Sequence, residues 1–182
     1  MKASDELKYE HDTILLSLKI LEQMSVSLSL GASVEQKDLR AMVEFFILFS
    51  EKCHHGKEED IFFPALEKAG IARYGGPIGI MLTEHQEGRG YIRLMSDALE
   101  HEPFHRDKFI KGAGDYVKLI RSHIEKENSR LFPEGDSKLS AKEHQEIIEK
   151  FEKFEENVIG EKKHQELHRM LEDFREKYLK SS

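Results

Sequence analysis

Apolar residues recur along most of this chain at intervals of three and four, the period of a helix with one buried face. Leu7, His11, Ile14, Leu18 and Leu21 lie on one such stripe and predict a first helix over residues 5–27. GASVEQ reads as a turn into a capped start, with Ser33 three residues before Gln36. The second helix is predicted over residues 34–69, with Ile47, His54, Glu58, Ile61 and Ala65 inward and a kink or break at Pro64. After the glycine-rich AGIARYGGPIG, a third helix over residues 77–99 turns Ile78, Leu82, His85, Ile92 and Met95 inward. HEPFHRD leads to a fourth, residues 108–130, with Tyr116, Ile120, His123 and Glu127 on one face, closed by FPEGDSKLS. Ser140 and Glu143 form a capping box before a last helical part, residues 141–180. There Phe151, Phe154 and Val158 precede a break at Gly160, and Leu167, Leu171, Phe174 and Tyr178 continue the stripe. Alternating strand runs and hairpin dipeptides are scarce. The expected class is all-α, a bundle over residues 1–135 with a helical extension, residues 136–182, packed on it.

Composition adds exclusions. At 182 residues, 38% hydrophobic and 35% charged, the chain suits one core wrapped in helices with wet outer faces. A net charge of −7 argues against nucleic acid, which calls for a basic footprint. No apolar run approaches the roughly 18 residues a bilayer requires, and the N-terminus lacks a leader's apolar stretch. A single cysteine, Cys53, excludes an internal disulfide. Together these predict a cytoplasmic protein without a membrane partner. The ten histidines are the anomaly.

One phrase occurs twice: HHGKEEDIFFP from His54 to Pro64 and HIEKENSRLFP from His123 to Pro133. Both copies hold His, then Lys-Glu, then Phe-Pro at the same offsets. Residues four apart share a helix face, so His54 with Glu58, and His123 with Glu127, can each reach one point. Imidazole with carboxylate suits a borderline transition-metal ion. His55 and Glu59 have the same spacing, but their counterparts Ile124 and Asn128 cannot repeat the chemistry, which sets the register on His54 and Glu58. His11 and His85 lie in the apolar stripes of their own helices. Six buried polar groups without partners would each cost about 2 kcal/mol or more against a net stability of about 5–15 kcal/mol. A bound metal offsets that cost. His101, His105 and His144 sit in polar or loop contexts and receive no role. Cys53 is turned about 100° from His54 and reads as a small buried residue.

The residues His11, His54-x3-Glu58, His85 and His123-x3-Glu127, with KEEDIFFP, GGPIGIMLTEH and KENSRLFP around them, resemble the hemerythrin-like, or HHE cation-binding, family over residues 5–133. The resemblance implies an up-down-up-down four-helix bundle holding two non-haem iron ions with an oxo or hydroxo bridge. It implies Glu58 and Glu127 as bridging carboxylates, His11 and His54 on one iron, and His85 and His123 on the other. Zinc or manganese can load the same donors in a recombinant sample. One departure stands out: oxygen carriers of the family supply two histidines four apart from the third helix, and here His85 is followed at that spacing by Arg89. Of the C-terminal histidines, His164 lies on the inward stripe and is expected as a seventh ligand, with His168 on the flank. Tyr116, two turns before His123, either lines the pocket or belongs to the core. The expected partner is O2, NO or peroxide. A binding protein, a redox enzyme repairing iron–sulfur clusters or acting on peroxide, and an iron or oxygen sensor all remain open. Neither an output module nor a cysteine-bearing leading segment is read here, which favours binding; the missing histidine weakens a pure oxygen-carrier role.

Overall fold

The computed structural model describes residues 1–180, and among them it contains six helices and no strand. They are α1 (Ala3–Ser29), α2 (residues 36–68), α3 (Pro77–Glu100), α4 (residues 106–138), α5 (Ala141–Val158) and α6 (Gly160–Phe174, running on through Arg175–Leu179). The all-α class follows from the periodicity. Residues 181 and 182, the end of the expected extension, lie outside the described residues. No helix among the described residues is long and apolar enough to cross a membrane.

The two expected stops at proline are not stops: α2 runs over Pro64 and α4 over Pro133. Proline removes one N–H and crowds the carbonyl four residues back, which normally breaks a helix. Here each proline follows a widened turn. The Phe63 amide donates to the Glu58 carbonyl and the Phe132 amide to the Glu127 carbonyl, both five residues back. A local i→i+5 turn of this kind lets the rod continue, and such turns concentrate at functional sites. The Ser140–Glu143 capping box forms as expected. Ser33 does not cap α2, which starts two residues later with Glu35 as its N-cap and no side-chain bond there.

Two apolar cores flank one polar layer. The first gathers Ile14, Leu18, Phe46, Phe49, Met95, Phe109 and Tyr116 with Leu167, Leu171 and Phe174 of α6. The second gathers Leu7, Phe62, Phe63, Leu66, Ile78, Met81 and Phe132 with Ile147 and Phe151 of α5. Along the chain α1 and α3 pass from the second core to the first, and α2 and α4 pass the other way. Between the cores each crosses the layer that carries the histidines. α3 packs chiefly on α4, α1 on α4, and α5 on α1 and α2. Because α5 and α6 cover the outer face of α2, that helix is buried on more than one side. Ile47, Ile61 and Ala65 are only partly buried, while Phe45, Phe49, Phe62 and Leu66 carry its core.

Candidate metal centre

The structure brings His11, His54, Glu58, His85, His123 and Glu127 into the polar layer, all fully buried or nearly so. The Glu58 carboxylate faces two ways: Oε1 lies 3.4 Å from His54 Nε2 and Oε2 lies 3.2 Å from His85 Nε2. Glu127 does the same, with Oε2 at 3.2 Å from His11 Nε2 and Oε1 at 3.3 Å from His123 Nε2. Two donor groups result, each within 4.8 Å: His11, His54, Glu58 and Glu127; and His55, Glu58, His85 and His123. Both carboxylate oxygens of Glu58 and of Glu127, and the Nε2 atoms of His11 and His54, are buried with no hydrogen-bond partner among the described residues. Buried polar atoms are nearly always satisfied, so six orphans converging on one point mark a place built for cations. Each donor group therefore fits a metal cation.

Each ring is held from behind through Nδ1 by the helix before it in a closed cycle. Glu10 of α1 takes His54 at 2.7 Å, Glu59 of α2 takes His85 at 2.8 Å, Glu84 of α3 takes His123 at 2.8 Å, and Asn128 of α4 takes His11 at 2.8 Å. Every holder is the chain neighbour of a donor: Glu10 precedes His11, Glu84 precedes His85, Glu59 follows Glu58 and Asn128 follows Glu127. Such partners fix the tautomer, leaving Nε2 toward the cation, and raise ligand basicity.

The cycle accounts for the repeated phrase. Its Lys binds the holder from the preceding helix, Lys57 on Glu10 at 2.6 Å and Lys126 on Glu84. Its Phe lies against the lone histidine of another helix, Phe63 on His85 with centroids 5.9 Å apart and Phe132 on His11 at 5.5 Å, both nearly parallel. The contacts of α1 and α2 thus repeat in α3 and α4. The symmetry fails at three places. Asn128 stands where Glu59 does, Ile124 where His55 does, and Lys57 is fully buried while Lys126 is 37% exposed.

Electrostatics agree with a site awaiting positive charge. Burial pulls the His54 and His123 rings down, but Glu58 with Glu10, and Glu127 with Glu84, outweigh it and hold both rings up at about 10. Burial and Glu58 push the Glu127 carboxyl up, yet His123 and His11 bring it down to about 2. His55 goes the other way: burial, then repulsion from His85, takes it down to about 4 and keeps it neutral.

Two expectations change. His164, expected as a seventh ligand, belongs to neither group. Its ring packs on Phe49 and His168, with centroids 5.6 and 4.5 Å away, and its Nε2 lies 3.5 Å from Glu155. Helix α6 packs on α1 and on Phe49 of α2, and its His164 ring turns to Phe49 and Glu155 rather than to either donor group. His55, set aside because its counterpart is Ile124, sits inside the second group. The widened turns of α2 and its burial on several sides bring consecutive residues Cys53, His54 and His55 under cover together. The holders Glu10, Glu59, Glu84 and Asn128 were also unassigned by sequence, though Glu-His occurs in both α1 and α3.

Other polar side chains are structural. Glu10, Cys53 and Glu155 also cluster within 4.8 Å, but the Lys57 ammonium already serves as their cation, at 2.6 Å from Glu10 and 2.7 Å from Glu155. Burial pushes the Cys53 thiol up to about 12, so it stays protonated. His144 accepts the Ala3 amide at the start of α1, 3.1 Å away, and His105 accepts the Lys108 amide at the start of α4. Tyr116 is buried with its ring edge on Phe46.

The family model described as hemerythrin HHE cation binding domain matches residues 2–134, which include both donor groups. Among curated proteins, "Uncharacterized protein Rv1995" of Mycobacterium tuberculosis and "Uncharacterized protein Mb2018" of Mycobacterium bovis are each 25% identical over 163 residues. The match covers 87% of this chain but 63% of each relative, so the chain spans less than two thirds of their length. No solved structure matches the chain.

Proposed function

The chain belongs to the hemerythrin HHE cation-binding domain family, and from that premise we propose that it is a non-haem di-iron protein that binds O2, NO or a related small oxidant. In this reading α1 to α4 form an up-down-up-down four-helix bundle over residues 1–135. The alternating order in which those helices meet the two apolar cores supports it. The expected extension, residues 136–182, closes over α1 and α2 with its described part, residues 141–179 of α5 and α6. The observation that carries the proposal is the set of six orphaned donor atoms on His11, His54, Glu58 and Glu127, with each carboxylate offering one oxygen to each histidine pair.

His11 and His54 would hold one ion and His85 and His123 the other, with Glu58 and Glu127 spanning both. When bound, the ions supply Lewis acidity and one-electron redox chemistry beside a small ligand. The protein's own residues set the stage. Glu10, Glu59, Glu84 and Asn128 orient the rings. Phe63 and Phe132 exclude water from one side, and Ile14, Ile92 and Tyr116 belong to the core on the other. A surface groove lined by Ile47, Glu51, Lys52, Arg89, Ile92, Arg93 and Ser96 includes Glu51, whose carboxylate lies 3.1 Å from His55 of the second donor group, and offers a small molecule its approach.

Anaerobic loading with ferrous iron is expected to give about two irons per chain, and oxidation a near-ultraviolet charge-transfer band. Glu58→Ala should lose that band. An unchanged spectrum would remove the spanning role of Glu58, and a folded chain that takes up no iron would overturn the proposal. Mixing the loaded protein with O2, NO and peroxide in turn then identifies the ligand.

A further inference from the structure

Helix α3 supplies one histidine to the layer, and four residues later, where a second would face the same way, it carries Arg89. Arg89 is not idle. Its guanidinium reaches two carboxylates of α2: Nε lies 3.0 Å from Glu51 Oε2 and Nη2 lies 2.5 Å from Glu59 Oε1. Each carboxylate lies beside a histidine. Glu59 takes His85 Nδ1, and Glu51 Oε2 lies 3.1 Å from His55 Nδ1, one helical turn away. The arginine thus braces the supports of two rings at once.

His55 itself is 1% exposed. With Nδ1 turned to Glu51, its other nitrogen is free for the interior. Its ring stacks on His85 at 3.8 Å between centroids and meets His123 at 5.4 Å, nearly edge-on. One donor atom of His55 lies within 4.8 Å of donors on Glu58, His85 and His123. Unlike the other four rings, its Nδ1 makes no hydrogen bond among the described residues, so a buried imidazole without a partner stands among these donors with the Glu51 carboxylate beside it. At the pseudo-equivalent place on the opposite side stands Ile124, which has nothing to offer an ion.

We infer that His55 is a fifth imidazole donor, serving the cation held by His85 and His123, and that α2 supplies through the Glu51–Arg89 brace the ligand α3 lacks. This rests on the two-cation reading above. The two positions are then unequal by construction: three imidazoles on one and two on the other, with the carboxylates shared. Arg89, at the place of the absent ligand, is a positioning residue that acts through Glu51.

Cobalt(II) titration of the full ion-free chain tests this, because cobalt reports its donors in the visible spectrum. Wild type is expected to bind two equivalents. His55→Phe keeps a stacked ring but removes the nitrogen. It should weaken one equivalent at least about tenfold and alter the visible bands of that equivalent alone. Adding Arg89→His to His55→Phe returns an imidazole from α3 and should recover part of the loss. A folded His55→Phe protein with wild-type affinity and spectrum would show that His55 only stacks, and would overturn the inference while leaving the two-cation reading intact. A folded wild type that fails to take two equivalents would overturn both. If His55→Phe does not fold, Glu51→Leu is read instead. It removes the carboxylate beside His55 without emptying its volume, and an unchanged cobalt spectrum there would equally sink the proposal.

Discussion

At the scale of single residues, the centre is a competition between protons and metal. His54 and His123 are held up at about 10 in the ion-free chain, so both rings carry a proton at neutral pH. A cation needs the neutral rings and must displace both protons. Apparent affinity should therefore rise with pH between about 7 and 10, by up to about two decades per unit, and level off above, as a zinc titration with a competing chelator at fixed ionic strength would record. The ion-free fold runs oppositely. A raised pKa stabilises the folded state below the free value of 6.5, and that contribution fades as pH climbs toward 10. The holders set the second prediction. Glu84→Gln keeps an oxygen on His123 Nδ1 but removes the charge, and is expected to lower affinity about 10–100-fold. A loss no larger than that of a distant surface Glu→Gln would mean the holder does not tune its ring. Much of this site was legible from the His-x3-Glu spacing, since four of its six central donors lie in one repeated phrase. His55 was not, because comparing the copies discards whatever one copy lacks. The holders were not, because a Glu beside a His points around the helix at a neighbouring rod, and chain spacing says nothing about which rod lies there.

At the scale of helices, apolar periodicity located α1 to α4 and a helical C-terminal part broken at Gly160, because each buries one stripe and its period survives any tertiary arrangement. It ended α4 at residue 130, where the helix runs on to 138, and expected a kink or break at Pro64, which α2 runs over. Proline is a stop signal only when the helix behind it is regular, and the widened turns at Glu58 and Glu127 carry no signal in composition. Those turns begin at the two spanning carboxylates, which links the irregularity to the site. Helix α5 completes the picture from outside. Its Phe151 ring lies 5.6 Å from the Lys57 ammonium, and its Glu155 joins Glu6 and Glu10 around that ammonium. Lys57 and Lys126 occupy the same place in the repeat, but only Lys57 is sealed in. Removing one member of a buried pair strands the other, at about 3–5 kcal/mol, whereas an exposed pair contributes about 0–1 kcal/mol. Lys57→Met should therefore lower urea-unfolding stability by about 3–5 kcal/mol and Lys126→Met by under about 1 kcal/mol. Equal losses would mean that α5 does not seal the lysine in solution.

For the molecule as a whole, the polar layer is both function and weakness. It divides the interior into two apolar cores, and two fully buried carboxylates face each other across it. Without a cation, protons on His54 and His123 are what balance Glu58 and Glu127. With one, four helices are tied at a single point, and any ion that binds only the folded chain stabilises it by mass action. At free metal a hundredfold above Kd the gain is about 2.7 kcal/mol, and for a chain of this size each kcal/mol moves Tm by about 2–4 °C. Stripping the metal with a chelator should thus lower Tm by about 5–10 °C, and restoring zinc or ferrous iron should recover it. The shift should grow with free metal concentration and should shrink in Glu58→Ala even where that variant folds. A Tm indifferent to metal would mean that no ion binds the folded chain in preference to the unfolded one. The two cores would then have to hold the layer together on protons alone, leaving its six orphaned donor atoms with no physical account.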